Sequence, residues 1–136
     1  MLKINKRFLI ALLTFTLPFG CVGCSNGGSA DTPATYEQIS GAEAKALMDS
    51  ESGYIIIDAR TQEEYDEGHI PGAILIPEYE IADRAEKELL DKDQLILVYC
   101  RSGRRSKIAA EELVKLGYTN VKEFGGIIDW EYEIVK

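Results

Sequence analysis

The sequence is poor in the residues that build metal centres and cross-linked scaffolds. It has one histidine, His69, in 136 residues, and three cysteines, of which only Cys100 lies beyond residue 24. One cysteine cannot form a disulfide framework, and one histidine with one cysteine makes no plausible ligand set for a transition metal, so no metal and no cofactor are expected. Basic residues are also scarce, 15 Lys and Arg against 23 Asp and Glu. A phosphate backbone needs a basic surface to neutralise it, so a nucleic-acid partner is excluded on charge. No apolar run is long enough to cross a bilayer as a mature helix, which takes about 20 residues. There is no internal repeat, and the length allows one domain and little else.

What is present divides into three stretches. Residues 1–23 carry Lys3, Lys6 and Arg7 and no acid, so the rest holds 12 basic and 23 acidic residues, a net charge of −11. The basic start is followed by a 12-residue apolar stretch from Phe8 to Phe19 and by the small residues Gly20–Cys21–Val22–Gly23–Cys24. That is the layout of an export signal. Its end resembles a bacterial lipoprotein signal, which implies that Cys24 becomes lipidated and begins the mature chain. Cys21 is the weaker candidate, because Pro18 sits three residues before it. Residues 24–34 read as a flexible tether, with Ser25–Asn26–Gly27–Gly28–Ser29 at its start. The expected location is outside the cytoplasm, anchored to the membrane through lipid. A redox role for the Cys21–Cys24 pair would place the chemistry outside any fold.

The globular part begins at about Thr35. Ser40 with Glu43, and Thr61 with Glu64, have capping-box spacing and predict two helix starts. Apolar runs at Tyr54–Ile57, Ala73–Ile76 and Leu95–Tyr99 read as buried strands, and Val121–Phe124 as a last one. Ile81, Ala85 and Leu89 recur at helical spacing, as do Ala109, Leu113 and Leu116, with Gly117 placed to end the second helix. Strands alternating with helices predict an α/β fold, three layers deep, around a mostly parallel sheet of about five strands.

The chemistry concentrates where the strongest strand meets a helix, at Cys100–Arg101–Ser102–Gly103–Arg104–Arg105–Ser106. Open α/β sheets bind ligands at the carboxyl ends of their strands. A loop entering a helix N-terminus also offers unpaired N–H groups. A thiol facing those donors ionises more easily, so Cys100 is the candidate nucleophile. Basic residues at a helix N-terminus oppose the macrodipole and cost stability. Placing Arg101, Arg104, Arg105 and Lys107 there in an acidic protein points to an anionic ligand. A solvated basic face is the blander reading.

This loop resembles the CRxGxRS active loop of the rhodanese family. Three other stretches resemble that family in the same order. They are Asp58–Ala59–Arg60 with Glu64–Tyr65, Gly68–His69–Ile70–Pro71–Gly72–Ala73, and Gly125–Gly126–Ile127–Ile128–Asp129–Trp130. The resemblance implies a sulfurtransferase in which Cys100 takes sulfane sulfur from a small anionic donor such as thiosulfate and passes it to a thiol or cyanide acceptor. Backbone donors from Arg101 through Ser102, Gly103, Arg104 and Arg105 to Ser106 would cradle the anion. Arg101 and Arg105 are the first choices for holding its oxygens, and Arg104 the next. Asp58 and Arg60 are expected to pair in support of the loop. His69 and Trp130 are expected to be architectural, and a domain of this size to stand alone as a monomer.

Two rivals follow. Cysteine phosphatases and arsenate reductases share the thiolate-in-a-cradle logic, but their C-x5-R spacing falls on Ser106 here, and Arg105 comes one residue early. A persulfide carrier or a binding module would keep the fold and turn over little.

Overall fold

The computed structural model describes residues 35–136. The expected signal segment, the tether and both Cys21 and Cys24 lie outside the described residues. A five-stranded sheet forms the middle layer, in the order β1-β5-β4-β2-β3 with every neighbouring pair parallel. Its strands are β1 (Glu37–Gln38), β2 (Ile55–Asp58), β3 (Ala73–Leu75), β4 (Ile96–Cys100) and β5 (Val121–Gly126). The helices are α1 (Gly41–Ser50), α2 (Gln62–Glu67), α3 (Ile81–Glu88) and α4 (Arg104–Lys115), with short 3-10 turns at Glu78–Glu80 and Ile127–Asp129. The α/β/α architecture expected from the alternation of patterns is the observed one.

Both anticipated capping boxes form. Ser40 and Glu43 exchange bonds at the start of α1, and Thr61 and Glu64 do so at the start of α2. Such reciprocal bonds satisfy two of the N–H groups a helix start leaves open. Strand β4 is buried along its whole length, as its unbroken apolar run requires of a strand covered on both faces. Successive side chains alternate between layers. Ile96, Val98 and Cys100 pack with Ile81 and Ala85 of α3 and Ala109 and Leu113 of α4. Leu97 and Tyr99 face the other way, among Ala44 of α1, Ile70 and Phe124. Tyr99 and Cys100 are therefore neighbours in the chain on opposite sides of the sheet.

Strand β1 has no apolar pattern behind it. It is two exposed residues whose backbone pairs with β5, helped by an ion pair between Glu37 and Lys122. No sequence period marks an element held by main-chain bonds and one surface charge pair.

Candidate active site

Cys100 is the last residue of β4 and is 1% exposed. Beyond it Arg101–Gly103 turns into α4, and Gly103 takes a left-handed conformation with φ +102°. That turn folds the chain back over the sulfur, which accepts the Gly103 N–H at 3.0 Å. The Ser106 hydroxyl lies 3.4 Å from the same sulfur. Burial works against a charged sulfur, but hydrogen bonds from the Ser106 hydroxyl and from the Ser106, Gly103 and Ser102 N–H groups outweigh it and hold the Cys100 thiol below its ordinary range.

Strand β5 forms the wall behind the loop. The β4–β5 register slips after Val98, so that Val98 pairs with Glu123 but Cys100 pairs with Gly126. One extra β5 residue is accommodated in this bulge, and Gly125 within it has φ +85°. The next glycine is needed for another reason. A Cβ on Gly126 would lie 2.0 Å from the Arg101 carbonyl oxygen and 2.6 Å from Ser102 Cα. Only a residue without a side chain lets the loop rest against β5 at this distance. The carbonyl of Arg101 is then held by the Ile128 N–H at 3.3 Å.

The arginines are not equivalent. Arg105 binds Glu64 through two bonds, Nη1 to Oε2 at 2.6 Å and Nη2 to Oε1 at 2.8 Å. Its hydrogen bonds lower the Glu64 carboxyl to about 2, against the opposing effect of burial and with help from the Thr61 N–H. Arg105 is thus committed to the start of α2. Arg101 and Arg104 are exposed, and among the described residues neither forms an ion pair. The expectation that ranked Arg105 with Arg101, ahead of Arg104, is corrected in one respect: the Arg105 guanidinium is taken up by Glu64.

Asp58 and Arg60 do pair, with Arg60 Nη2 2.6 Å from Asp58 Oδ2 and both residues buried. Tyr99 donates its hydroxyl to Asp58 at 2.6 Å and accepts the Ile70 N–H at 3.1 Å. Arg60 also donates to the Gly68 carbonyl at 2.7 Å. Burial, followed by the Asp58 charge, pushes the Tyr99 phenol up. None of these bonds reaches residues 101–106. The pair fastens the ends of β2 and β4 to the Gly68–Ile70 segment, on the face away from the sulfur. It supports the loop only through the strand that carries both Tyr99 and Cys100.

His69 stacks on Tyr65 with ring centroids 3.7 Å apart, and its Nδ1 lies 3.0 Å from the Tyr65 carbonyl oxygen. Its main chain bridges to Val135. Trp130 packs beside Phe124 and donates its indole N–H to the Glu133 carbonyl at 3.1 Å. Neither side chain bonds to the loop. Among the described residues no group of three or more His, Cys, Asp or Glu is gathered as a metal site.

One residue of the site was missed in the sequence. Glu123 is 3% exposed, and its Oε1 accepts the Ser106 hydroxyl at 2.6 Å and the Gly125 N–H at 2.8 Å. The signal available was its place two residues after Val121, which puts it on the same covered face of β5.

Residues 40–133 match the family described as the rhodanese-like domain. The thiosulfate sulfurtransferase PspE of Escherichia coli is 42% identical over 73 residues, which cover 54% of this chain and 70% of that protein. The putative sulfur carrier protein YrkF of Bacillus subtilis is 37% identical over 103 residues, covering 75% of this chain and 55% of that protein. Among solved structures, a rhodanese with anions from E. coli superposes with a TM-score of 0.59 at 39% identity, over 62% of this chain and 99% of that one.

Proposed function

The chain belongs to the rhodanese-like domain family, and on that premise we propose that it is a thiosulfate-type sulfurtransferase that carries sulfane sulfur as a persulfide on Cys100. The observation that carries this reading is the buried Cys100 sulfur facing the Gly103 N–H and the Ser106 hydroxyl at the end of β4. Donors so placed stabilise negative charge on sulfur before and after transfer. The thiolate attacks the outer sulfur of thiosulfate. A new sulfur–sulfur bond forms, the old one breaks, and sulfite leaves with its electron pair. The outer sulfur of the persulfide now carries the charge, over the same loop amides. A thiolate or cyanide acceptor then attacks that outer sulfur, and Cys100 departs as the thiolate it began as. Arg101 and Arg104, both exposed at the rim, meet the donor oxygens. Arg105, tied to Glu64, holds the loop in shape.

A second reading is a dedicated persulfide carrier, favoured by the likeness to a relative named as a putative sulfur carrier. Both readings place the domain outside the cytoplasm on a lipid attached to Cys24, as the N-terminal pattern suggests. Fatty-acid labelling that is lost in Cys24→Ser and kept in Cys21→Ser tests that placement.

Mass spectrometry before and after thiosulfate tests the chemistry. A gain of one sulfur that is absent in Cys100→Ser, with thiocyanate released on adding cyanide, is the expected result. A stable gain without turnover would favour the carrier. No gain with thiosulfate or with a persulfide donor would overturn both.

A further inference from the structure

Cys100 is 1% exposed, so an acceptor must reach into the loop to take the outer sulfur of the persulfide. Cyanide needs nothing more than an opening. What surrounds that opening is larger than cyanide can use. Among the large apolar side chains that stand exposed, Tyr79 (66%), Ile128 (62%) and Ile108 (43%) all follow the carboxyl ends of strands. Ile128 sits beside the loop, where its N–H holds the Arg101 carbonyl at 3.3 Å. Ile108 is one turn beyond Arg104 on the exposed stripe of α4. Tyr79 belongs to the 3-10 turn whose Glu78 acts on Arg105. A single exposed apolar residue needs no explanation, but a group of them around a reactive sulfur marks an interaction surface.

Charge gives the surface a direction. Arg101 lies next to Ile128 and Arg104 next to Ile108; both arginines are exposed, and among the described residues neither forms an ion pair. No acid occurs between Asp93 and Glu111, in a chain whose net charge is −8. Glu64 and Glu78 answer Arg105, and the exposed Asp129 adjoins Ile128 at the edge. A cationic centre with apolar flanks, on an otherwise acidic protein, is complementary to an acidic segment that carries apolar side chains. The chemistry asks for the same partner. An acceptor thiolate and the persulfide are both anions, and cations beside them ease their approach. A small thiol has no group to place on Ile108, which stands about 6 Å along the helix from Arg104.

We propose that Tyr79, Ile108 and Ile128, with Arg101 and Arg104, form the docking surface for the sulfur acceptor, and that this acceptor is a protein segment whose cysteine is flanked by carboxylates and apolar side chains. The thiolate of the segment attacks the outer persulfide sulfur and forms a new sulfur–sulfur bond. The bond from that sulfur to Cys100 breaks, Cys100 leaves as thiolate with the electron pair, and the segment carries the persulfide. Charge is equal on the two sides of the exchange, and no oxidant or reductant is consumed. The proposal deepens the sulfurtransferase reading and rests on it for the transfer step. Docking itself is measurable without any sulfur donor.

In the experiment, the full chain is loaded with thiosulfate and freed of donor, and mass spectrometry follows its Cys100 persulfide as synthetic peptides discharge it. One peptide has a cysteine flanked by glutamates and leucines, and a second has lysines in place of the glutamates. The first should discharge the persulfide about tenfold faster than the second at low salt, with the advantage shrinking as salt screens it. Ile128→Ser and Tyr79→Ser keep the backbone donors and should each slow the first peptide about fivefold while cyanide discharges the persulfide as before. Equal rates with the two peptides would overturn the proposal, as would variants that slow cyanide as much as the peptide or slow neither. Fluorescence anisotropy of labelled peptides with serine in place of cysteine reads docking alone, even in a chain that takes up no sulfur. If no persulfide loads, yet the glutamate–leucine peptide binds tighter than the lysine one and Ile128→Ser weakens it, the sulfurtransferase reading fails and the surface stands. No preference between the labelled peptides would overturn the surface.

Discussion

Two polar clusters sit back to back at the carboxyl end of the sheet, and they are built on opposite rules. On the α1 side, Asp58, Arg60 and Tyr99 form a closed set. The guanidinium and the carboxylate neutralise each other, and the phenol joins them to the Ile70 N–H. On the α4 side, Cys100, Ser106 and Glu123 form an open one, with two groups that can carry negative charge and a single hydroxyl between them. Chain neighbours Tyr99 and Cys100 belong to different sets because a strand alternates its side chains. A buried cluster whose charges cancel has no proton or charge to spare and serves as a frame. A cluster in which one hydroxyl serves several acceptors, with no cation paired to them among the described residues, is not balanced in this way. The difference teaches that burial and polarity alone do not identify a reactive site; the balance of donors and charges does.

The sharpest way to break the closed set is Asp58→Ala, which strands the buried Arg60 charge. Removing one partner of a buried pair costs about 3–5 kcal/mol, and denaturant unfolding should show a loss of that order. The pH midpoint for alkylation of Cys100 by iodoacetamide, which follows ionisation of the thiol, should stay in place, because no bond of the closed set reaches the loop. A large midpoint shift in folded Asp58→Ala would mean that the two clusters are coupled after all.

A smaller effect is expected from Gly126→Ala, which acts on the open side. The new Cβ would overlap the Arg101 carbonyl, only 2.0 Å away. Overpacking of this kind costs about 1–3 kcal/mol. The loop must move off β5, so the N–H groups that face the sulfur lose their aim and the Cys100 midpoint should rise. Stability loss without any rise would show that the sulfur donors do not depend on β5.

The smallest effect concerns Glu64, whose carboxyl Arg105 lowers from 4.5 to about 2. A carboxylate lowered in the folded state contributes stability that is full above its unfolded value and is lost as the pH falls through the folded one. The stability gap between wild type and Glu64→Gln should therefore be constant above about pH 5. It should close as the pH falls from 4.5 toward 2. Acid unfolding curves that stay parallel throughout that range would show that the pair contributes no linked stability.

Much of the frame was legible in the sequence for a definite reason. Its strands are unbroken apolar runs and its helix starts carry capping pairs, and both signals are local. Cys100 and the glycine–arginine loop were legible as a motif at a strand-to-helix junction. The direction of each arginine was not, since spacing places Arg105 at the site but says nothing of a partner 41 residues earlier in the chain. Tyr99 reads as one more apolar strand residue until the far ends of its two hydrogen bonds are known. Glu123 was hidden in a different way. A carboxylate inside a short strand is ordinarily taken for an outward-facing residue; alternation from Val121 puts Glu123 on the covered face, and the fold then brings Ser106 against it.

The carboxylate of Glu64 closes the capping box of α2 and also grips Arg105. Six residues are too few for a helix to persist by its own propensity, so α2 depends on what holds its ends. Its first turn and the first turn of α4 share one anchor, and neither can fray without letting go of the other. In native-state hydrogen exchange the amides of these two segments should open as one cooperative unit, although they lie far apart in the chain. The first turn of the helix that follows the nucleophile and a small surface helix would then have a single opening free energy.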